Sequence, residues 1–160
     1  MRVFSGLKMD MEILPLGEAD FPEIVEVWEA SVGATHGFVS AEYLARLKGE
    51  LASKYLPGLR LFGIRAVGGR LAVFCGVSPG KVEMLFAHPD FFGRGFGRAA
   101  LLHAINGLGA SRVDVNEENP KALAFYAGFG FECVCREETD GEGRPHPILH
   151  LELSRGSAAE

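Results

Sequence analysis

Only three cysteines occur in the 160 residues: Cys75, Cys133 and Cys135. The odd number and the lack of a CxxC pair exclude a disulfide framework and a zinc ribbon. None of the five histidines stands in HxH or HExxH spacing, so no metal is expected. No apolar run reaches the roughly 20 residues that span a bilayer. The N-terminal MRVFSGLKMDMEIL lacks a sustained apolar segment leading to a small-residue cleavage site. A cytoplasmic location with reduced thiols is therefore expected, with no membrane partner. Positive charge is also scarce. Sixteen Lys and Arg against 21 Asp and Glu leave a net charge of −5, which argues against a nucleic-acid partner. No internal period of about 20 to 50 residues marks a solenoid.

What the chain does have is an ordinary globular balance, 48% apolar and 23% charged, at a length suited to one domain. That domain is expected to take up residues 1–160, with 1–9 a leader and 154–160 a flexible tail. Residues 11–16 alternate as a short strand. Glu18 to Val32 puts Phe21, Ile24, Val25, Val27 and Trp28 at helical spacing. ATHGFVS interrupts, and Ser40 caps a second helix, AEYLARLKGELASKYL, which Pro57-Gly58 ends. Leu59 to Val67 and Arg70 to Val77 flank Gly68-Gly69 as a hairpin. Val82 to Ala87 is a strand, Phe96 to Leu108 a helix, Ser111 to Val115 a strand, and Pro120 to Gly128 a helix capped by Asn119. Phe131 to Glu138 and Ile148 to Leu153 form a last hairpin about DGEGRP. Period-two spacing turns Cys133 and Cys135 to one strand face, where both are expected in the core with Cys75. The order predicts a mixed α/β domain with one central sheet.

One strand-to-helix corner, His88 to Arg98, reads HPDFFGRGFGR. Helix-start N–H groups have no intrahelical partner and carry partial positive charge. Glycines let that cluster approach a phosphate closely, and guanidiniums can clamp its oxygens. The run is not GxxxxGK[ST], so no P-loop is read. It is not GxGxxG either, because its third glycine arrives one residue early. Two readings stand: an anion site or a tight turn.

Residues 119 to 131 read NPKALAFYAGFGF. On a helix, Ala122 and Phe125 share a face and Tyr126 lies beside Phe125. A phenol between helix and sheet can protonate a leaving sulfur or oxygen. Alternatively it is a core tyrosine whose hydroxyl reaches water.

Together, LFAHPDFFGRGFGRAALLHAI and NPKALAFYAGFGF resemble the two signature segments of the GNAT superfamily, the GCN5-related acetyl-CoA-dependent N-acetyltransferases. ASVGATHGFVSAEY, DVNEEN and GEGRPHPILHLEL resemble the small bacterial YjaB-type branch. The resemblance implies a GNAT fold: a mixed, mostly antiparallel twisted sheet of about seven strands with about four helices. It implies acetyl-CoA as cosubstrate. The pyrophosphate-loop pattern, Gln/Arg-x-x-Gly-x-Gly/Ala, falls on Phe92 to Gly97. Gly95 and Gly97 match, but Phe92 replaces the polar first residue. The amides of Gly93, Arg94, Gly95, Phe96, Gly97 and Arg98 are then expected to bind the pyrophosphate, with charge from Arg94 or Arg98. Leu85, Phe86 and Ala87 match the strand that splays from its neighbour and pairs with the pantetheine arm. Asn119 matches a cosubstrate-contacting asparagine, and Tyr126 the general acid for the departing thiolate.

The implied reaction is direct attack of a primary amine, on a small molecule or on a protein lysine or N-terminus, upon the thioester carbonyl. Asp114 and Glu83 are the two candidate bases, and the Leu85 or Phe86 amide could hold the oxyanion. Thr35, His36 and Phe38 lie where the family overhangs its acceptor pocket; His36 is either a structural hydrogen bonder or a titrating group there. His146 and His150 read as sheet residues rather than pocket liners. The alternative function is a catalytically silent module that binds CoA or acyl-CoA. A monomer or a homodimer fits either.

Overall fold

The computed structural model describes residues 11–154. The expected leader, and all of the expected tail except Ser154, lie outside them. Seven strands form one sheet: β1 (Leu14–Pro15), β2 (Arg60–Arg65), β3 (Leu71–Ser78), β4 (Lys81–Ala87), β5 (Arg112–Asn116), β6 (Phe131–Glu137) and β7 (Ile148–Leu153). Four α-helices accompany them: α1 (Phe21–Thr35), α2 (Ala41–Glu50), α3 (Phe96–Leu108) and α4 (Pro120–Ala127). The sheet order is β1-β2-β3-β4-β5-β7-β6, antiparallel except for β4 and β5.

Local chemistry sets the boundaries. Ser40 Oγ accepts from the Tyr43 N–H and starts α2. Asn119 Oδ1 accepts from the Ala122 N–H and starts α4, with Pro120 at its first position. Gly68 and Gly69, at φ 102° and 97°, close the β2–β3 hairpin as its dipeptide predicted. Several boundaries differ, three of them with a local cause. β1 is only two residues long, since Pro15 has no N–H to extend a ladder. α1 continues through Thr35, so the interruption before α2 is shorter than ATHGFVS. α2 stops at Glu50, and Leu51–Tyr55 winds as a wider π turn. Leu51 and Leu56, five apart, would diverge by about 140° on an α-helix. The wider turn brings both into the core, 2% and 1% exposed.

Apolar layers cover both faces of the sheet. On one, Ile24, Val27, Trp28 and Val32 of α1 pack with Leu61, Leu71 and Phe74. On the other, Phe96, Ala100, Leu101 and Ala104 of α3 pack with Phe62, Val73 and Cys75. Residues 71–77 of β3, buried throughout, therefore read as an unbroken apolar run. Each large side chain so buried contributes about 1.5–3 kcal/mol. Glu23 ties α1 to the β2–β3 hairpin, accepting from the Leu71 N–H at 3.0 Å and from Arg65 at 2.8 Å.

The cysteine expectation needs correction. Cys75 is core, but Cys133 and Cys135 are exposed. They lie on β6, the edge strand, whose register shifts between them: Cys133 faces Leu151 and Cys135 faces His150. The bulge breaks the alternation that the sequence pattern assumed.

Candidate active site

A register shift also opens the central feature of the molecule. Val77 pairs with Val82 and Gly76 with Met84, which leaves Glu83 as the extra residue of a bulge in β4. Pairing of β4 with β5 stops at the same place, after Lys81–Arg112 and Val82–Val113. Beyond it the two parallel strands separate. Bulges bend the strand that carries them, and here the bend turns β4 away from β5. The His88 N–H bonds back to Ala72 on β3. By alternation Phe86 also faces β3, while the backbone groups of Leu85 and Ala87 face the gap.

The gap is a cleft of about 610 Å³. One end is the α3 corner, where Gly93 and Gly95 adopt φ of 77° and 87°. Through these left-handed turns Phe96 begins the helix beside the cleft, where the first-turn N–H groups have no intrahelical partner. Beneath the corner, Phe91 and Phe96 stack edge to face at 5.8 Å. Gly93, Gly95, Phe96, Gly97 and Arg98 line the cleft, but Arg94 does not. Arg94 lies over the Phe91 ring at 5.5 Å, and Arg98 over Phe129 at 5.2 Å. Neither guanidinium is salt-bridged to a described carboxylate. Phe92 is 45% exposed at the rim. Lys121 adds a cation that the sequence reading missed; its place in the first turn of a helix opening on the same cleft was the available signal.

Tyr126 also lines the cleft. It packs edge to face on Phe125 and Phe131, is buried, and has no hydrogen bond to its hydroxyl among the described residues. Burial, and secondarily the neighbouring Cys75, push its pKa well above the usual phenol value. Asn119 lines the cleft too, with Oδ1 committed to its cap and only its amide NH₂ free for a ligand.

At the other end stand Glu83, Asp114, Thr35 and His36. Glu83 accepts from Ser78 Oγ at 2.7 Å. Asp114 is held by Lys81 Nζ at 2.8 Å and His150 Nδ1 at 2.6 Å. Burial alone would raise its carboxyl, but those two hydrogen bonds outweigh burial and hold it below the usual carboxylate range. His150 places its Nε2 2.6 Å from Glu137, and neither it nor His146 lines the cleft. Thr35 donates to the Ser31 carbonyl at 2.8 Å and meets His36 Nδ1 at 2.7 Å. Burial lowers the His36 pKa. Phe38 stays outside the lining and forms a second layer, with its ring 5.3 Å from His36 and 6.1 Å from His146. This wall is fastened to α2: Tyr43 donates to Glu142 at 2.7 Å, Arg46 pairs with the same carboxylate at 2.6 Å, and Arg144 lies 3.6 Å over the Tyr43 ring.

Residues 22–131 match the acetyltransferase (GNAT) family. Peptidyl-lysine N-acetyltransferase YjaB of Escherichia coli is 36% identical over 129 residues, 81% of this chain and 87% of the relative. The solution structure of apo-form YjaB from Escherichia coli superposes with a TM-score of 0.81 at 34% identity, covering 89% of this chain and 97% of that one. A PaiA N-acetyltransferase from Thermoplasma acidophilum, in complex with coenzyme A, shares the fold at 24% identity and TM-score 0.69, covering 89% and 99%. The chain belongs to the GNAT acetyltransferase family and is an acetyl-CoA-dependent N-acetyltransferase.

Proposed function

We propose that this enzyme acetylates the side-chain amine of lysine in peptides or proteins, with acetyl-CoA lying along the opened edge of β4. The observation that carries the reading is the splay of β4 from β5. It puts an unpaired strand edge, a helix N-terminus and a buried tyrosine into one cleft. Relatives of similar length are named for peptidyl-lysine acetylation.

The amides from Gly93 to Arg98 would take the pyrophosphate, because backbone donors do not need the polar side chain that Phe92 replaces. Arg98 and Lys121 supply charge. Arg94, turned onto Phe91, contributes its amide rather than its guanidinium. Leu85 and Ala87 offer backbone groups to the pantetheine amides, as an added strand would. Of the two amides considered for the oxyanion, Leu85 faces the cleft and Phe86 faces β3, so Leu85 is the donor. Tyr126 stays protonated and presents its hydroxyl to the departing sulfur. Glu83 and Asp114 border the acceptor end as negative charges suited to an incoming ammonium. Asp114, doubly hydrogen-bonded and held acidic, suits that role better than proton abstraction. A cytoplasmic location fits two exposed, unpaired thiols.

Release of free thiol from acetyl-CoA, followed with lysine peptides, polyamines and N-terminal peptides, tests the reading. Turnover with lysine peptides above the other acceptors is expected. Turnover confined to polyamines or N-termini would overturn the lysine assignment.

A further inference from the structure

The pair Thr35–His36 carries a further assignment, which rests on the acetyltransferase reading. Two short contacts meet at the Thr35 hydroxyl: 2.8 Å to the Ser31 carbonyl oxygen and 2.7 Å to His36 Nδ1. Each needs one proton. The carbonyl has none and the hydroxyl has one, so the imidazole supplies the other. The neutral His36 ring is therefore the Nδ1–H tautomer, with the lone pair on Nε2. That nitrogen makes no hydrogen bond among the described residues. The ring stands between Phe38 at 5.3 Å and Phe86 at 6.3 Å, on the wall of the cleft.

From this geometry we infer that His36 Nε2 is the general base that takes the proton from the acceptor ammonium, and that Thr35 is the residue that positions it. Local rigidity supports the role. The His36 N–H closes the last turn of α1 on the Val32 carbonyl, so the base is anchored at a helix end rather than on a loose loop. The ionisable groups sharing the cleft are Glu83 from β4, Asp114 from β5, Lys121 and Tyr126 from α4, and Arg98 from α3; His146 stands behind Phe38. None of them bonds to His36. Its pKa is lowered by burial alone, which keeps the ring neutral and basic at neutral pH.

The proton balance closes. The acceptor enters as an ammonium. One proton passes to Nε2 and on to solvent; the nitrogen lone pair then forms the C–N bond as the C–S bond breaks. The second proton shed by nitrogen reaches the sulfur through the Tyr126 hydroxyl. Ammonium and acetyl thioester become acetamide, free thiol and one released proton.

The test compares wild type, His36→Asn and Thr35→Val in thiol release, with acetyl-CoA affinity measured alongside. Asparagine keeps a donor toward Thr35 but has nothing basic at the Nε2 position. Its kcat/KM should fall about 100-fold or more at neutral pH, with unchanged acetyl-CoA affinity. The wild-type acid limb, below the ordinary imidazole value of about 6.5, should vanish, and the mutant rate should climb toward the amine's own pKa. Thr35→Val leaves the imidazole in place but frees its tautomer. It should lose about tenfold and move the acid limb, and ¹⁵N shifts should show Nε2 unprotonated in wild type and mixed tautomers in the variant. Neither change is expected of a merely structural threonine. An active wild type with His36→Asn within about twofold and the same pH profile would overturn this assignment alone. A wild type that turns over no amine would overturn the acetyltransferase reading together with it. Should His36→Asn not fold, an unshifted limb and tautomer in Thr35→Val would still overturn the assignment.

Discussion

His150 and Asp114 are direct register partners across β5 and β7, with Nδ1 of one 2.6 Å from Oδ1 of the other. The second ring nitrogen meets Glu137 at 2.6 Å, so both nitrogens face carboxylates. The hydrogen bonds to Asp114, then Glu137, raise the His150 pKa. An imidazolium here is a structural charge, and its companion Asp114 is held acidic.

Asp114→Asn should therefore bring the His150 pKa down toward about 6.5, as read by NMR titration of the ring protons. The sign of the stability effect follows from the raised value. The pairing stabilises fully below about 6.5 and is lost as pH rises through the higher folded pKa. The gap in melting temperature between wild type and His150→Gln should be widest on the acid side of that window and shrink above it. A gap that grew with pH would contradict the pairing.

Tyr126→Phe should lower kcat by about tenfold or more while acetyl-CoA affinity changes little. The ring packing on Phe125 and Phe131 survives the substitution, so folding is not at issue. Single-turnover thiol release with calorimetric binding separates the two quantities. Wild-type rates would remove Tyr126 as proton donor.

Gly95→Asp should abolish detectable acetyl-CoA binding by calorimetry. Gly95 caps α3 at φ 87°, a conformation that costs an L-residue about 1–2 kcal/mol. A carboxylate there would also repel the pyrophosphate proposed to bind at the helix N-terminus. Retained affinity would place the cosubstrate elsewhere.

Two of the three thiols should react with a chromogenic disulfide in the folded enzyme, and the third only after denaturation. Cys133 and Cys135 are exposed, whereas burial pushes the Cys75 thiol up to about 12. One fast thiol would contradict the edge bulge.

Much of the fold was legible in the sequence because its signals are local. Ser40 and Asn119 cap helices through their own oxygens. Gly68-Gly69 turns a hairpin because both residues need positive φ, and the α3 stripe alternates by helical period. The glycine corner and the tyrosine helix carried the family resemblance for the same reason: each is a short run whose chemistry depends on its own spacing. Tertiary structure decided what no local pattern encodes. Glu83 becomes a bulge only because β3 and β4 pair out of step, and that bulge separates β4 from β5 to make the cleft. Cys133 and Cys135 read as core by alternation, but an edge position and a register slip exposed them. Arg94 and Arg98 look equivalent in sequence, yet aromatic rings thirty-eight positions apart hold one off the cleft and the other on it. In the sequence Asp114 and Glu83 were the candidate bases and His36 a structural hydrogen bonder or a titrating group; folding gave the aspartate two cationic partners from other strands and left the imidazole one hydroxyl from its own helix. Protonation depends on what the chain brings near a group, and for Asp114 those neighbours, Lys81 and His150, lie 33 and 36 positions away in sequence.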